Sequence, residues 1–268
     1  MSDTSLDELL AELDCWSEAG RPLRLWLRDD DAVAPSPALD HLAGLSERFA
    51  LPVLLAVIPM LAEPALAAAL RAAPSLLPCQ HGCRHQNHAA IGMKKSEFGA
   101  GRARAEAEAD IAAGRQRLGD LLGAAVLPVF VPPWNRIDPA LARTLPEFGL
   151  AGLSCFRGFG LGGDGPALVN SDIDVMDWHG GRIGRSLQAL ALEIRDRLAA
   201  RRQQSEGTDT LGLLLHHRDH DETAWATLQT LLATLTAHPV IVTTDPARLF
   251  SDRCAAKMRH SGSGRSLP

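Results

Sequence analysis

Short apolar runs of strand length alternate with longer segments of helical period along this chain, and that alternation restricts what it can fold into. Strand-length runs occupy residues 23–27, 53–58, 76–80, 127–131, 151–155, 173–176, 211–215 and 240–242. Segments of helical period lie between them at 37–49, 64–73, 97–122, 139–148, 186–203 and 222–237. Strands separated by helix-length connections form parallel sheets, because a parallel pair needs a crossover rather than a tight turn. Ser36-Pro37 and Asp138-Pro139 each put a capping side chain before a proline at the first helical position. The expectation is an α/β fold: a distorted (β/α) barrel of about seven or eight parallel strands, as one domain over residues 1–251. A doubly wound open sheet has the same periodicity and stays open as the alternative. Residues 252–268, rich in Ser, Gly and Arg, show no apolar period and are expected to be a disordered tail.

Composition removes several function classes. A net charge of −5 gives no basic footprint for nucleic acid. Aromatic residues at 4%, with no Tyr, disfavour a stacking channel for single strands or long sugar chains. No run approaches the roughly 20 apolar residues of a membrane span. The first sixteen residues carry five acids and neither Lys nor Arg, unlike a secretory leader. Five scattered cysteines (Cys15, Cys79, Cys83, Cys155 and Cys254) fit a reducing compartment. The expected setting is the cytoplasm, with a small-molecule substrate and no nucleic-acid or membrane partner. The Gly-rich segment 157–166 lacks both phosphate-loop spacings. Residues 88–98 form a long excursion suited to a rim or lid.

Ionisable residues gather just after the strand-length runs, where the carboxyl ends of parallel strands share one face. Arg28-Asp29-Asp30-Asp31 follows the first run; three adjacent carboxylates repel one another unless cations compensate them. His81-Gly82-Cys83-Arg84-His85 follows the third, with an i, i+4 histidine pair that a helical turn would place on one face. No further Cys or His pair completes a four-ligand structural zinc site with Cys79 and Cys83. Val131-Pro132-Pro133-Trp134-Asn135 ends the fourth, its prolines stiffening the exit so that a following N–H could serve as an oxyanion donor. Leu214-Leu215-His216-His217 closes a late strand, where a histidine could protonate a leaving group.

Taken in order, these segments resemble the polysaccharide deacetylase family, the NodB-like carbohydrate esterases. That family shows a TFDD-like strand end, an H[ST]xxH pair, an RPPYG-like loop, a D-x-D-x-x-D-W segment and a late LLH. The counterparts are Asp29-Asp30-Asp31, His81 to His85, Val131 to Asn135, Asp172 to Trp178, and Leu214-Leu215-His216. The resemblance implies a distorted barrel and one divalent metal ion, most often zinc, held by Asp31, His81 and His85. It implies Asp30 as general base and His216 as general acid, with Asp29, Pro133, Trp134, Asn135, Asp174 and His217 as binding or supporting residues. Asp29/Asp30 remains an alternative to Asp30/Asp31 for the base and ligand, and His217 an alternative to His216.

The implied reaction is metal-assisted hydrolysis of an amide C–N bond, a deacetylation belonging to carbohydrate metabolism. The departures matter. Val131 stands where the family motif carries an Arg that pairs with the acid matched here by Asp174, and Arg136 could replace it. Trp134 and Asn135 stand for the usual Tyr and Gly, changing the pocket. Family members that act outside the cytoplasm carry export signals, which the opening residues do not resemble, so a soluble N-acetyl sugar or similar small amide is expected rather than a wall polymer. The alternatives are a metal-independent amidohydrolase of a cyclic ureide and a non-catalytic ligand-binding member of the fold.

Overall fold

A computed structural model describes residues 4–204 and 209–262. In chain order the elements are α1 (Thr4–Glu18), β1 (Leu23–Ala32), α2 (Pro37–Arg48), β2 (Val53–Val57), α3 (Leu66–Ala72), β3 (Leu76–His81) and α4 (Arg104–Leu122). Next come β4 (Val129–Val131), α5 (Pro139–Ala142), β5 (Gly152–Leu153), β6 (Ala167–Leu168), β7 (Ile173–Asp174), β8 (Met176–Asp177) and β9 (Ile183–Gly184). The chain closes with α6 (Leu187–Arg202), β10 (Thr210–Leu215), α7 (Glu222–Ala237), β11 (Ile241–Thr243) and α8 (Pro246–Gly262). None of the described helices is long and apolar enough to cross a membrane.

Contacts group these elements into two compact units. The first is built from the residues up to Asp29, Ser36–Val53 and Asp172–Asp245. Here β1 pairs in parallel with β10 and with β11, and β10 pairs in parallel with β7. Leu25, Trp26 and Leu27 of β1, and Leu211, Leu213, Leu214 and Leu215 of β10, are all buried. Apolar residues on both faces of a strand are what a parallel sheet covered on both sides requires. Helices α6 and α7 start on Ser186 and Asp221, whose side chains accept from the N–H groups of Ala189 and Ala224. Helix α1, whose acidic sequence gave no helix expectation, packs on α6. Leu9, Leu13 and Trp16 form its buried stripe, the Trp16 indole N–H donates to the Leu198 carbonyl, and Arg202 grips Glu12 through two hydrogen bonds.

The second unit comprises Asp30–Pro35, Leu54–Ser171 and the residues from Pro246 onward. Strands β2 to β6 are neighbours in sequence order, and the β3–β4, β4–β5 and β5–β6 pairs are parallel. Phe98, Ile111, Phe130, Leu141, Leu145 and Leu153 centre its core.

Three elements depart from the sequence reading. The expected 173–176 strand divides, because the Asp174 side chain accepts from the Met176 N–H and draws that group off the ladder. Helix α4 begins at Arg104 rather than near 97, because Glu97 is fully buried and engages a turn elsewhere in the chain. The segment from 252, expected to be without order, continues helix α8 to Gly262. Leu249 and Phe250 anchor the start of α8 in the core, and Lys257 Nζ donates to the Gly165 carbonyl at 2.7 Å. The remainder of that expected tail, 263–268, lies outside the described residues.

The docking of α1 gives a direct test. Replacing Trp16 by Ala empties a fully buried site and removes an indole hydrogen bond. The expected loss is about 3–5 kcal/mol of unfolding free energy. Urea titration followed by circular dichroism measures it, and a change below about 1 kcal/mol would contradict the packing described.

Candidate metal centre

Strand β3 ends on His81, which is 1% exposed and lies in register with Val131 of β4. Its Nδ1 is 3.0 Å from the Val131 carbonyl oxygen. A carbonyl only accepts, so Nδ1 carries a proton, and in the neutral imidazole that ligates a metal Nε2 presents its lone pair. That Nε2 is 3.1 Å from Asp31 Oδ1. An acceptor thus faces an acceptor, and a shared cation resolves the arrangement. His85 Nε2 approaches the same oxygen at 3.2 Å. The donor atoms of Asp31, His81 and His85 all lie within 4.8 Å of one another. Two imidazoles and one carboxylate form the donor set of an open catalytic zinc site, and the carbonyl bonded to the other His81 nitrogen is its usual outer support. The residues fit a divalent ion. Burial, then the neighbouring His81, pushes His85 below its ordinary value, so it stays in the neutral form that ligates.

The convergence does not arise as the i, i+4 spacing suggested. His81 closes a strand, and His85 follows in an irregular turn rather than on a helix. Gly82 and His85 both have left-handed backbone, with φ of +56° and +55°, which folds the chain back within four residues. Asp31 reaches the histidines from the end of β1 with φ +73°. Left-handed conformation in residues other than glycine is strain held by its surroundings, and here it concentrates among the ligands.

Pro132 and Pro133 lead into a tight turn in which the Asn135 N–H donates to the Pro132 carbonyl at 2.9 Å. Trp134 and Asn135 are also left-handed, with φ of +54° and +58°. The Trp134 ring packs on the His85 imidazole, centroids 4.3 Å apart. The proline turn therefore backs a ligand directly. Arg136, considered as a replacement for the missing family Arg, instead donates to the Lys95 carbonyl.

The acidic triplet divides its tasks. Asp31 meets the two histidines, whereas Asp29 is fully buried against His217. The His217 N–H donates to Asp29 Oδ2 at 2.8 Å, and its Nδ1 lies 2.5 Å from Oδ1. Asp30, between them in the chain, is 3% exposed. His216 takes a different environment within the first unit. Its ring meets the Trp178 ring edge-on at 4.6 Å, and its Nδ1 is 4.0 Å from Asp174 Oδ1. The Asp174 carboxylate is held by the Met176 N–H at 2.9 Å and the Trp178 indole N–H at 2.8 Å. Asp172, the first acid of the same segment, is bound to Arg201 and to the Gly212 N–H. Sequence reasoning missed the Trp178–Asp174 bond, the Arg201–Asp172 pair and buried Glu97; no motif spacing announces any of them.

Comparison with solved structures places this fold. No family profile matches the sequence, and no curated protein does. A protein from Mycobacterium smegmatis assigned as a polysaccharide deacetylase is similar over 89% of this chain and 92% of its own, with TM-score 0.65 and 18% identity. A family 4 carbohydrate esterase from Streptomyces lividans, solved with acetate, covers 83% of this chain and 92% of its own at TM-score 0.53 and 16% identity. A Bacillus subtilis peptidoglycan deacetylase covers 92% and 98% at TM-score 0.54 and 14% identity. The fold is that of the polysaccharide deacetylases, an α/β fold built on parallel strands.

The late histidine segment gives a pH prediction. Burial pushes His220 from the ordinary 6.5 down to about 4; Asp29 and Asp221 oppose this, while His216 and His217 reinforce it. Between these values the unfolded chain binds a proton that the folded chain refuses, so stability falls as pH drops through that window. The full loss below pH 4 is on the order of 3 kcal/mol. His220 Nε2 accepts the His216 N–H at 3.3 Å, and a Gln at 220 can keep that bond. His220→Gln should flatten the decline between pH 6.5 and 4 in urea unfolding, and an unchanged slope would assign it to other groups.

Proposed function

We propose that this protein is a metal-dependent hydrolase that cleaves an amide C–N bond, removing acetyl from a soluble N-acetyl sugar or a similar small amide. The convergence of Asp31, His81 and His85 carries this reading. The likeness of the fold to the deacetylases above supports the reaction class, and the acetate bound to the Streptomyces lividans esterase is the product such a reaction releases.

A divalent ion held by those three side chains, zinc by choice of ligands, would act as a Lewis acid towards water and the substrate carbonyl. The remaining work belongs to the chain. Asp30 accepts a proton from the attacking water, whose oxygen bonds to the carbonyl carbon. The Trp134 N–H, on its proline-stiffened turn, donates to the carbonyl oxygen as negative charge gathers there. His216 delivers a proton to the nitrogen as the C–N bond breaks, because an amine leaves poorly as an anion. Asp174, held by Trp178 and the Met176 N–H, lies beside the His216 ring, its Oδ1 4.0 Å from Nδ1. The products are a carboxylic acid and a free amine.

A cytoplasmic setting and a small substrate belong to the same reading. All five cysteines are free thiols, as suits a reducing compartment. The Trp134 ring lies against the His85 imidazole where the resembling family carries Tyr.

Purified protein should contain about one divalent ion per chain by mass spectrometry and release acetate from members of a panel of N-acetyl compounds. His81→Ala should lose both metal and turnover. His216→Ala should keep its metal while turnover falls by about 10²–10⁴. Full turnover in metal-free protein would falsify the reading; normal turnover in His216→Ala would remove that histidine from the chemistry.

A further inference from the structure

The turn between His81 and His85 leaves backbone donors to satisfy in a buried place, and one side chain distant in sequence satisfies them. Glu97 is 0% exposed and has no role in the reaction described above. Its Oε2 accepts the Cys83 N–H at 3.2 Å, and its Oε1 accepts the Arg84 N–H at 2.8 Å and the Gln86 N–H at 3.4 Å. These three residues bracket His85. A single carboxylate therefore ties down the turn on both sides of a ligand whose own backbone is left-handed.

The other half of the fit is Gly82. A Cβ placed there would lie 2.2 Å from Glu97 Oε2 and 2.6 Å from Pro133. The carboxylate occupies the space any side chain at 82 would need, and φ of +56° already favours glycine there. Gly82 and Glu97 are thus complementary, the missing side chain of one making room for the carboxylate of the other. Around them, the Arg84 and Arg102 guanidinium groups both bond Asp110 of α4, and the Arg102 guanidinium also donates to the Glu97 carbonyl, which pins the segment that carries Glu97.

We infer that Glu97 is a positioning residue for the metal centre: by accepting the N–H groups of Cys83, Arg84 and Gln86 it holds the His85 imidazole towards Asp31 and His81. The inference rests on the metal-centre reading above and deepens it. It also explains why α4 starts only at Arg104: the residue that sequence pattern assigned to its first turn is engaged with the ligand turn. Partners behind the ligands typically contribute tenfold to a hundredfold in metal affinity.

The test measures binding of the metal alone. Zinc affinity is obtained by competition with a chromophoric chelator, and the cobalt-loaded protein is recorded by visible absorption, which reports ligand geometry. The forms compared are the unaltered protein, Glu97→Ala, Glu97→Gln and Leu145→Ala. Leu145 is fully buried in the same unit but is not a ligand, so that variant reports what lost stability alone does. Glu97→Ala is expected to weaken zinc binding by about tenfold to a hundredfold and to alter the cobalt spectrum. Glu97→Gln, which retains one acceptor oxygen but turns an amide donor towards an N–H, should fall between. Leu145→Ala should lose stability and keep both affinity and spectrum. Gly82→Ala, which drives a methyl group into the carboxylate, should weaken binding too, and less in a Glu97→Ala background than alone.

Wild-type affinity and spectrum in Glu97→Ala would overturn the positioning role while leaving the metal centre standing. An equal loss of affinity in Leu145→Ala would also overturn it, by reducing the effect to general stability. An unaltered protein that binds neither ion would overturn the metal-centre reading, and this inference with it.

Discussion

The contact between Asp31 and the two imidazoles of His81 and His85 is one that simple electrostatics does not leave alone. The Val131 carbonyl accepts a hydrogen bond from His81 Nδ1, so in the neutral imidazole the nitrogen turned towards Asp31 has no proton to give. A carboxylate and a lone pair 3.1 Å apart repel unless a cation lies between them. The backbone around this contact is held in conformations that residues other than glycine adopt at a cost, at Asp31, His85, Trp134 and Asn135. The buried bonds of Glu97, the proline turn behind His85 and the register of β3 with β4 all serve to maintain it.

The acidic triplet illustrates how one short segment is made tolerable. Three neighbouring carboxylates would repel in water and more so in a buried place. Asp29 is hydrogen-bonded by the His217 ring and N–H, and Asp31 is turned by its left-handed backbone towards the histidines. Asp29 and Asp31 thus turn to different partners.

Two carboxylates in this chain hold backbone and ring donors in place. The Asp174 carboxylate accepts from the Trp178 indole N–H and the Met176 N–H, both from its own segment. At the turn between His81 and His85, a carboxylate from residue 97 supplies the acceptors for the Cys83 and Arg84 N–H groups.

Much of this was legible from the residues alone. Strand positions were readable because buried parallel strands are apolar on both faces, as at β2 and β10, where every residue is buried. The grouping of Asp31 with His81 and His85 was suggested by the resemblance of the ordered segments, since neither the acidic triplet nor the His81–His85 spacing points to it alone. Helix α1 was not, since its apolar stripe of Leu9, Leu13 and Trp16 sits among acids that only the partner residues of α6 explain. Nor was the continuation of α8, which Leu249 and Phe250 anchor before the sequence turns polar. Which acid meets the histidines was open by one residue, because sequence order does not determine backbone handedness, and the left-handed Asp31 decides it. The role of Glu97 was invisible for the same reason that makes it effective. Three N–H groups of one turn converge on a residue more than ten positions away, and only a folded chain brings those donors to a single carboxylate. Local sequence determined which residues could ligate and which segments could pair; tertiary packing decided where each carboxylate points, because burial obliges every charge and every N–H to find a partner.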